Sequence, residues 1–447
     1  MNSFAVQTAW NYRGPRKSGF AKSVALLTGG TVAAQGLNLL LAPVIVRLYT
    51  PADIGKLALF LSYINIASVA LGLRYEFGIV SASSEREACG LALMAGIFTV
   101  PLGLLLAVVF HFLIKYSVLG FGTLPPYAGA LMVLALVLTG IFSTLRYWMI
   151  RRGKFPLISQ ATVLQQGMRV LSQAALGLFG SSVIGLLAGE LAGRATGIGR
   201  MFRDALPSFR SDLAGIRASE LRELLVRHRK FPEFSLPSSI VDAAGVNLIV
   251  PLIVLQYGSA SGGQFALVSR VMSIPLLLIA TSVADVFHSR LAERAREHPL
   301  SCSSLFWRTG GGLLLIGSIP AATVLSFGQR LFAVVFGPTW TMAGAMAAAM
   351  APWFLAQFIV SPLSRLVLVL EGQELKLVYD IFSLLSVCVV FSLAHRYHAP
   401  LLHTVWRLSQ VNTVAYGIYF LVLTLLVRRV KTAQPALVTP LGETLGD

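Results

Sequence analysis

Five arginines, Arg74, Arg169, Arg270, Arg365 and Arg407, interrupt long apolar stretches, together with the acids Glu76, Glu190, Asp242, Asp285 and Asp380. A charge at the centre of a membrane-crossing helix costs about 2.5–3.5 kcal/mol even on the lenient insertion scale, so each needs a partner, a route to water or a use. A guanidinium in a polar cavity attracts an anion, and a carboxylate there can take up and release an ion. For catalysis the chain offers no comparable set: it holds no Gly-x-x-x-x-Gly-Lys loop, no Asp-x-Asp pair, no His-Glu-x-x-His, no Gly-x-Ser-x-Gly and no Cys/His cluster. The seven histidines are scattered, and Cys89, Cys302 and Cys388 have neither metal-ligand spacing nor the even number of a disulfide framework. The expectation is a non-enzyme with no catalytic residue, no cofactor and no metal.

Depth ranks the charges. At about 1.5 Å of rise per residue, Arg169 lies roughly 18 Å along its span, near the midplane, while Arg270 and Arg407 lie roughly 10 Å below the outer surface. Arg74 and Arg365 sit near the cytoplasmic ends, where snorkelling to the interface accounts for them. An interhelical salt bridge would account for Arg169 and Arg270, but the acids in the spans are too few to neutralise every arginine on the outer side, which favours an anion-attracting cavity. Arg169, Arg270 and Arg407 are therefore candidates for substrate binding. Glu190 has Arg194 at i+4, a structural pair by default. Asp242, about 12 Å inside its helix, has no such neighbour and is the better candidate for an ion-coupling carboxylate, with Glu190 second. Asn38 and Asn247 suit interhelical hydrogen bonds, and Pro43, Pro251 and Pro275 suit bends.

The elements that must position these residues follow from composition. The chain is 55% hydrophobic and 12% charged, against about 25% charged in soluble domains, so it is an all-α polytopic membrane protein. Apolar runs predict twelve helices, at 24–46, 57–80, 91–114, 127–150, 157–179 and 182–201, then 234–257, 263–287, 313–327, 342–370, 375–394 and 401–427. The domains expected are an N-terminal tail (1–23), a six-helix bundle (24–201), a basic linker (202–232) with a short amphipathic helix at 219–225, a second six-helix bundle (233–427) and a C-terminal tail (428–447). The bundles are related by a parallel pseudo-repeat: residues 36–59 return at 245–267, matching Gly36, Asn38, Pro43, Tyr49, Gly55, Ala58 and Leu59 to Gly245, Asn247, Pro251, Tyr257, Gly263, Ala266 and Leu267. Ala128-Gly129-Ala130 is echoed in Ala343-Gly344-Ala345. Of the 36 Lys and Arg, 26 fall on the side of the N terminus and only five opposite, which predicts that both termini are cytoplasmic. That bias explains most of the net charge of +17 as a topology signal, so nucleic acid is not an expected partner.

Several ordered motifs carry a resemblance. Arg47-Leu48-Tyr49-Thr50-Pro51-Ala52-Asp53-Ile54-Gly55 closes the first span and Arg74-Tyr75-Glu76 the second. Phe231-Pro232 and Pro237-Ser238 enter the seventh span, and Gly263-Gln264-Phe265-Ala266-Leu267 with Arg270 opens the eighth. Leu331-Phe332, Val335-Phe336-Gly337, Trp340 and Ser361-Pro362-Leu363 follow. Over nearly its whole length the chain resembles bacterial polysaccharide-export proteins, the lipid-linked oligosaccharide (O-antigen type) flippases of the multidrug/oligosaccharidyl-lipid/polysaccharide exporter superfamily. The resemblance implies a V-shaped, cation-lined central cleft between the bundles and a place in the bacterial inner membrane. It also implies transport of an undecaprenyl-pyrophosphate-linked glycan, the repeat unit of a lipopolysaccharide O-antigen or an exopolysaccharide, from the inner to the outer leaflet. It carries over no catalytic residue; its cationic cleft is matched by Arg270 and by Arg74.

The expected function is a secondary-active flippase with a proton or sodium ion as possible coupling ion. Membrane lipids and other polysaccharide-assembly proteins are the further partners. The nearest alternative keeps the architecture and exports drugs or organic cations, which excess arginine would repel. A membrane-embedded glycan polymerase or ligase would need a sizeable outer loop, whereas the longest polar segment, 202–232, lies on the cytoplasmic side.

Overall fold

The apolar runs fold as helices, and the polar breaks between them set the turns. The computed structural model describes residues 17–213, 217–297, 301–369 and 373–432; most of both predicted tails lies outside them. Helix α1 (Lys17–Leu48) already includes the end of the expected N-terminal tail. It passes through Tyr49-Thr50 into α2 (Pro51–Ala67), where Thr50 and Asp53 form a capping box and Pro51 takes the first helical position.

The predicted span 57–80 is not one helix. It ends with α2 at Ala67, runs irregularly through Leu73 and Arg74, both at positive φ, and resumes as α3 (Tyr75–Ser81). Hydropathy does not register the break because Val69, Ala70, Leu71 and Leu73 within it are themselves apolar. The first half continues with α4 (Glu85–Lys115), α5 (Ala128–Arg151), α6 (Phe155–Leu178) and α7 (Val183–Leu213). The last runs past the expected boundary at residue 201, carrying Pro207 within it.

The linker helix α8 (Ala218–Arg227) forms where amphipathic spacing placed it, but its apolar face is already used. Leu224 is buried, and Leu221 and Leu225 pack into the first-half core around Trp148 and Met149. Arg86 and Glu220 pair at 2.8 Å above that contact. Residues Phe231–Ser235 then make a π-helical turn into α9 (Leu236–Asn247) and α10 (Ile249–Pro275), the latter broken at Gly258 with φ 83°. A second π-helical turn, Leu276–Ala280, leads to α11 (Thr281–Glu297), followed by α12 (Cys302–Phe336), α13 (Thr341–Leu363), α14 (Leu366–Val369), α15 (Gln373–Arg396) and α16 (Leu401–Thr432). Among the described residues seven helical stretches are long and apolar enough to cross a membrane. The protein is a multi-pass membrane protein.

Contacts between the halves concentrate at one end, that of the turns at residues 49–50 and 258. There α2 crosses α10 at two glycines: a Cβ on Gly55 would overlap the Ser259 carbonyl oxygen, and a Cβ on Gly263 would overlap that of Pro51. Backbones come this close only where small residues face each other. Arg47 donates to the carbonyls of Val334 and Val335 at 3.1 and 3.0 Å, and the Trp340 indole donates to Val46 O at 3.1 Å. Ala42 and Val46 of α1 accordingly belong to the core of the second half. Toward the opposite end, Arg151 pairs with Glu85, Lys154 with Asp204, and His228 of the linker with Glu87, all within the first half and its linker.

Replacing Gly55 or Gly263 by alanine is expected to cost about 1–3 kcal/mol through overpacking. Because both sit in one crossing, the double variant should fall short of the sum. Alanine at Gly311, where nothing lies within 4 Å of an added Cβ, should leave thermal unfolding of the purified protein unchanged.

Candidate functional site

Helix α6 places Gln165, Gln166, Arg169 and Gln173 on one side of its 3.6-residue repeat. Against that side lies α7, brought in by a stripe of small residues at every fourth position. A Cβ on Gly193 would stand 2.8 Å from Gln165 O and 2.7 Å from the Arg169 Cβ; one on Gly189 would stand 2.9 Å from Gln173 N. The same closeness sets Glu190 beside Arg169.

Glu190 is buried and holds two arginines. Its Oε1 lies 2.9 Å from Arg194 Nη2, the expected i+4 pair, and its Oε2 lies 3.6 Å from Arg169 Nη1. Arg194 also donates to Thr139 Oγ1 at 2.6 Å, and Gln165 Nε2 donates to the Arg194 carbonyl at 3.2 Å. The second guanidinium nitrogen of Arg169 reaches the side chain of Asn38 on α1, donating to Oδ1. Arg270, from α10 in the other half, donates to that same oxygen at 3.1 Å, while Asn38 Nδ2 donates to Gln166 Oε1 at 2.8 Å.

Two guanidiniums thus share a single carboxylate, and one of them, Arg169, meets a third from the opposite half, Arg270, on one neutral amide oxygen. The excess positive charge faces a cavity of about 390 Å³ between the halves, lined by Asn38, Asn65, Gln166, Arg169, Asn247 and Arg270. Arg270 is exposed to it. Asn247 accepts from Asn65 at 2.9 Å across the same gap, so both asparagines of the matched segments 36–59 and 245–267 join helices by hydrogen bonds. The arrangement presents guanidinium and amide donors to the cavity from both halves.

The other expected residues lie elsewhere. Asp242 opens onto a second cavity, of about 620 Å³ and lined mostly by the second half, which Asp380, Trp353, Tyr379 and Tyr416 also line. Arg407 is exposed on α16 and lines none of the cavities described. Arg74, in the irregular turn after α2, stands 4.7 Å over the Phe77 ring, its Nε buried without a hydrogen-bond partner. It is not on the cavity between the halves. Gln166, Asn65 and the link between Arg194 and Thr139 were not anticipated from sequence. The adjacent amides Gln165-Gln166 inside an apolar helix were a usable signal, because an amide there needs a partner.

No family model and no curated protein sequence matches the chain. Among solved structures it is similar to a multidrug resistance MATE family transporter of the MOP superfamily in an inward-facing conformation, with a TM-score of 0.68 at 14% identity, covering 90% of this chain and 96% of that one. An outward-facing MATE family transporter gives 0.52 at 15% identity, covering 92% and 96%. The lipid II flippase MurJ, inward closed, gives 0.68 at 12% identity, covering 91% of each chain. The chain has the fold of MOP-superfamily transporters.

Glu190→Gln leaves Arg169 and Arg194 with no carboxylate in a mostly buried site. Losing one partner of a buried ion pair costs about 3–5 kcal/mol, which denaturant or thermal unfolding should register. Glu223→Gln, which removes an exposed i+4 pair with Arg227, should cost no more than about 1 kcal/mol.

Proposed function

We propose that the protein is a flippase that carries an undecaprenyl-pyrophosphate-linked oligosaccharide across the bacterial inner membrane by alternating access, for lipopolysaccharide O-antigen or exopolysaccharide assembly. The observation that carries this reading is the meeting of Arg169 and Arg270 on Asn38 Oδ1. An amide oxygen does not neutralise two guanidiniums; a diphosphate does, and each planar fork can take two of its oxygens. The hydrophobic tail stays in lipid while the anion and glycan occupy the cleft. Both termini are taken as cytoplasmic from the distribution of Lys and Arg, which puts the Gly55–Gly263 crossing on the outer side and the open end of the cleft on the inner. The higher likeness to the inward-facing than to the outward-facing MATE family transporter supports that assignment.

Coupling to a proton or sodium gradient is assigned to Asp242. Glu190, the other candidate, is occupied by two arginines and serves the cationic cluster. A second reading, export of an organic cation, draws on the cavity where Asp242 and Asp380 meet Trp353 and three tyrosines, since aromatic faces beside carboxylates suit a cation. The deep arginines beside that cavity rank it second.

In cells that depend on the protein for surface polysaccharide, Arg169→Ala and Arg270→Ala should each abolish assembly at normal protein levels, and the lysine variants should lose less. Normal assembly by both alanine variants would refute the cationic site. Asn38→Asp separates binding from structure: a carboxylate between the two arginines should raise thermal stability and still abolish assembly, because it occupies the anion's place. Asp242→Asn should retain binding of the lipid diphosphate and lose acceleration by an imposed gradient in reconstituted vesicles. Unchanged acceleration would remove Asp242 from coupling.

A further inference from the structure

The cavity in the second half has the chemistry of a carbohydrate site rather than of a packing defect. Its volume of about 620 Å³ falls in the range of roughly 300–1,000 Å³ typical of small-ligand pockets. Its wall combines aromatic surface from Trp353, Tyr379, Tyr416 and Tyr419 with the acceptors Asp242 and Asp380. Tyr379 lies 4.7 Å from Tyr419 with the rings 20° from parallel and 5.5 Å from the tilted ring of Tyr416, so the tyrosines pack as one aromatic cluster. A pyranose ring has what such a wall receives: an apolar C–H face for an aromatic ring and a rim of hydroxyl donors for carboxylates. Behind this surface Trp353 Nε1 and Tyr419 Oη are buried, so the aromatic rings rather than these polar atoms form the wall.

The position of the cavity fixes what the ligand is attached to. Asn65, Asn247, Ser269 and Arg270 line both it and the cavity between the halves. A diphosphate seated on Arg169 and Arg270 therefore presents its first sugar at the mouth of the aromatic pocket. The charges are segregated as well, arginines at the interface and aspartates within the second half. The aspartates keep the diphosphate out of the pocket, so the ligand enters in one orientation. They also disfavour a first sugar that carries its own carboxylate.

We propose that this second-half cavity is the glycan subsite of the transporter and that it selects a neutral or amino sugar next to the diphosphate over a uronic acid. The proposal rests on the flippase reading. Its test uses the full-length protein in lipid nanodiscs and three probes: a polyprenyl diphosphate without sugar, the same lipid bearing N-acetylglucosamine, and the same lipid bearing glucuronic acid. Wild-type protein should bind the N-acetylglucosamine lipid at least tenfold more tightly than the bare diphosphate, and the glucuronic acid lipid no more tightly than the bare diphosphate. Trp353→Ala, and the milder Trp353→Phe and Tyr416→Phe that keep the packing, should reduce the tenfold gain while leaving the affinity for the bare diphosphate in place.

The failures are distinguishable. If the bare diphosphate binds and loses affinity in Arg270→Ala, but neither sugar adds affinity, the subsite is wrong and the flippase reading stands. Should the bare diphosphate fail to bind at all, both fall. Binding of tetraphenylphosphonium that Trp353→Phe weakens, without any gain from the neutral sugar, would make the cavity a cation site and overturn the proposal.

Discussion

One side-chain oxygen organises the centre of the molecule. Asn38 Oδ1 accepts from Arg169 of the first half and Arg270 of the second, and it does so as a neutral group between two positive ones. Two like charges held this close beside a cavity repel one another. The repulsion is relieved on one side only, by Glu190, which Arg194 shares. On the proposed reading, what remains favours an anion at the point where the halves touch. A ligand that satisfies both arginines changes the interaction between the halves as well as filling a pocket, which is the coupling alternating access requires.

The surrounding scaffold keeps that arrangement from relaxing. Glycines at 189 and 193 set α7 against α6 so closely that Glu190 has little freedom to leave Arg169. At the end beyond Asn38, the Gly55–Gly263 crossing, the Arg47 contacts and the Trp340 indole tie the halves together through backbone atoms. Helix α1 takes part in both cores, with Ile45 in one and Ala42 and Val46 in the other. The residue that bridges the arginines therefore sits on the helix that both halves grip. The linker helix, in contrast, is fastened to the first half, through Leu224 and the Arg86–Glu220 pair.

Much of this was legible in the sequence, and the reasons for the rest are physical. Arg169, Arg270 and Asn38 stood out singly because a polar group in an apolar run is expensive wherever it lies. Their meeting was not legible, since it depends on how three helices rotate against one another. Arg407 is equivalent to Arg270 by depth, yet depth says nothing about which face of a helix meets a cavity, and Arg407 lines none of those described. The break between α2 and α3 escaped because an irregular turn made of Val69, Ala70, Leu71 and Leu73 has the hydropathy of a helix. The amphipathic linker helix was visible by its spacing, but the same apolar stripe fits a lipid surface and a protein groove, and here Leu221, Leu224 and Leu225 meet protein.

On the proposed reading the cleft carries a lipid-linked anion. The most direct measurement places the purified protein in liposomes with a fluorescent undecaprenyl-pyrophosphate oligosaccharide and follows its arrival in the opposite leaflet, with and without a proton or sodium gradient. The account predicts protein-dependent translocation that excess polyprenyl diphosphate inhibits. Folded protein that leaves a matching glycan lipid in place while moving an organic cation would contradict it.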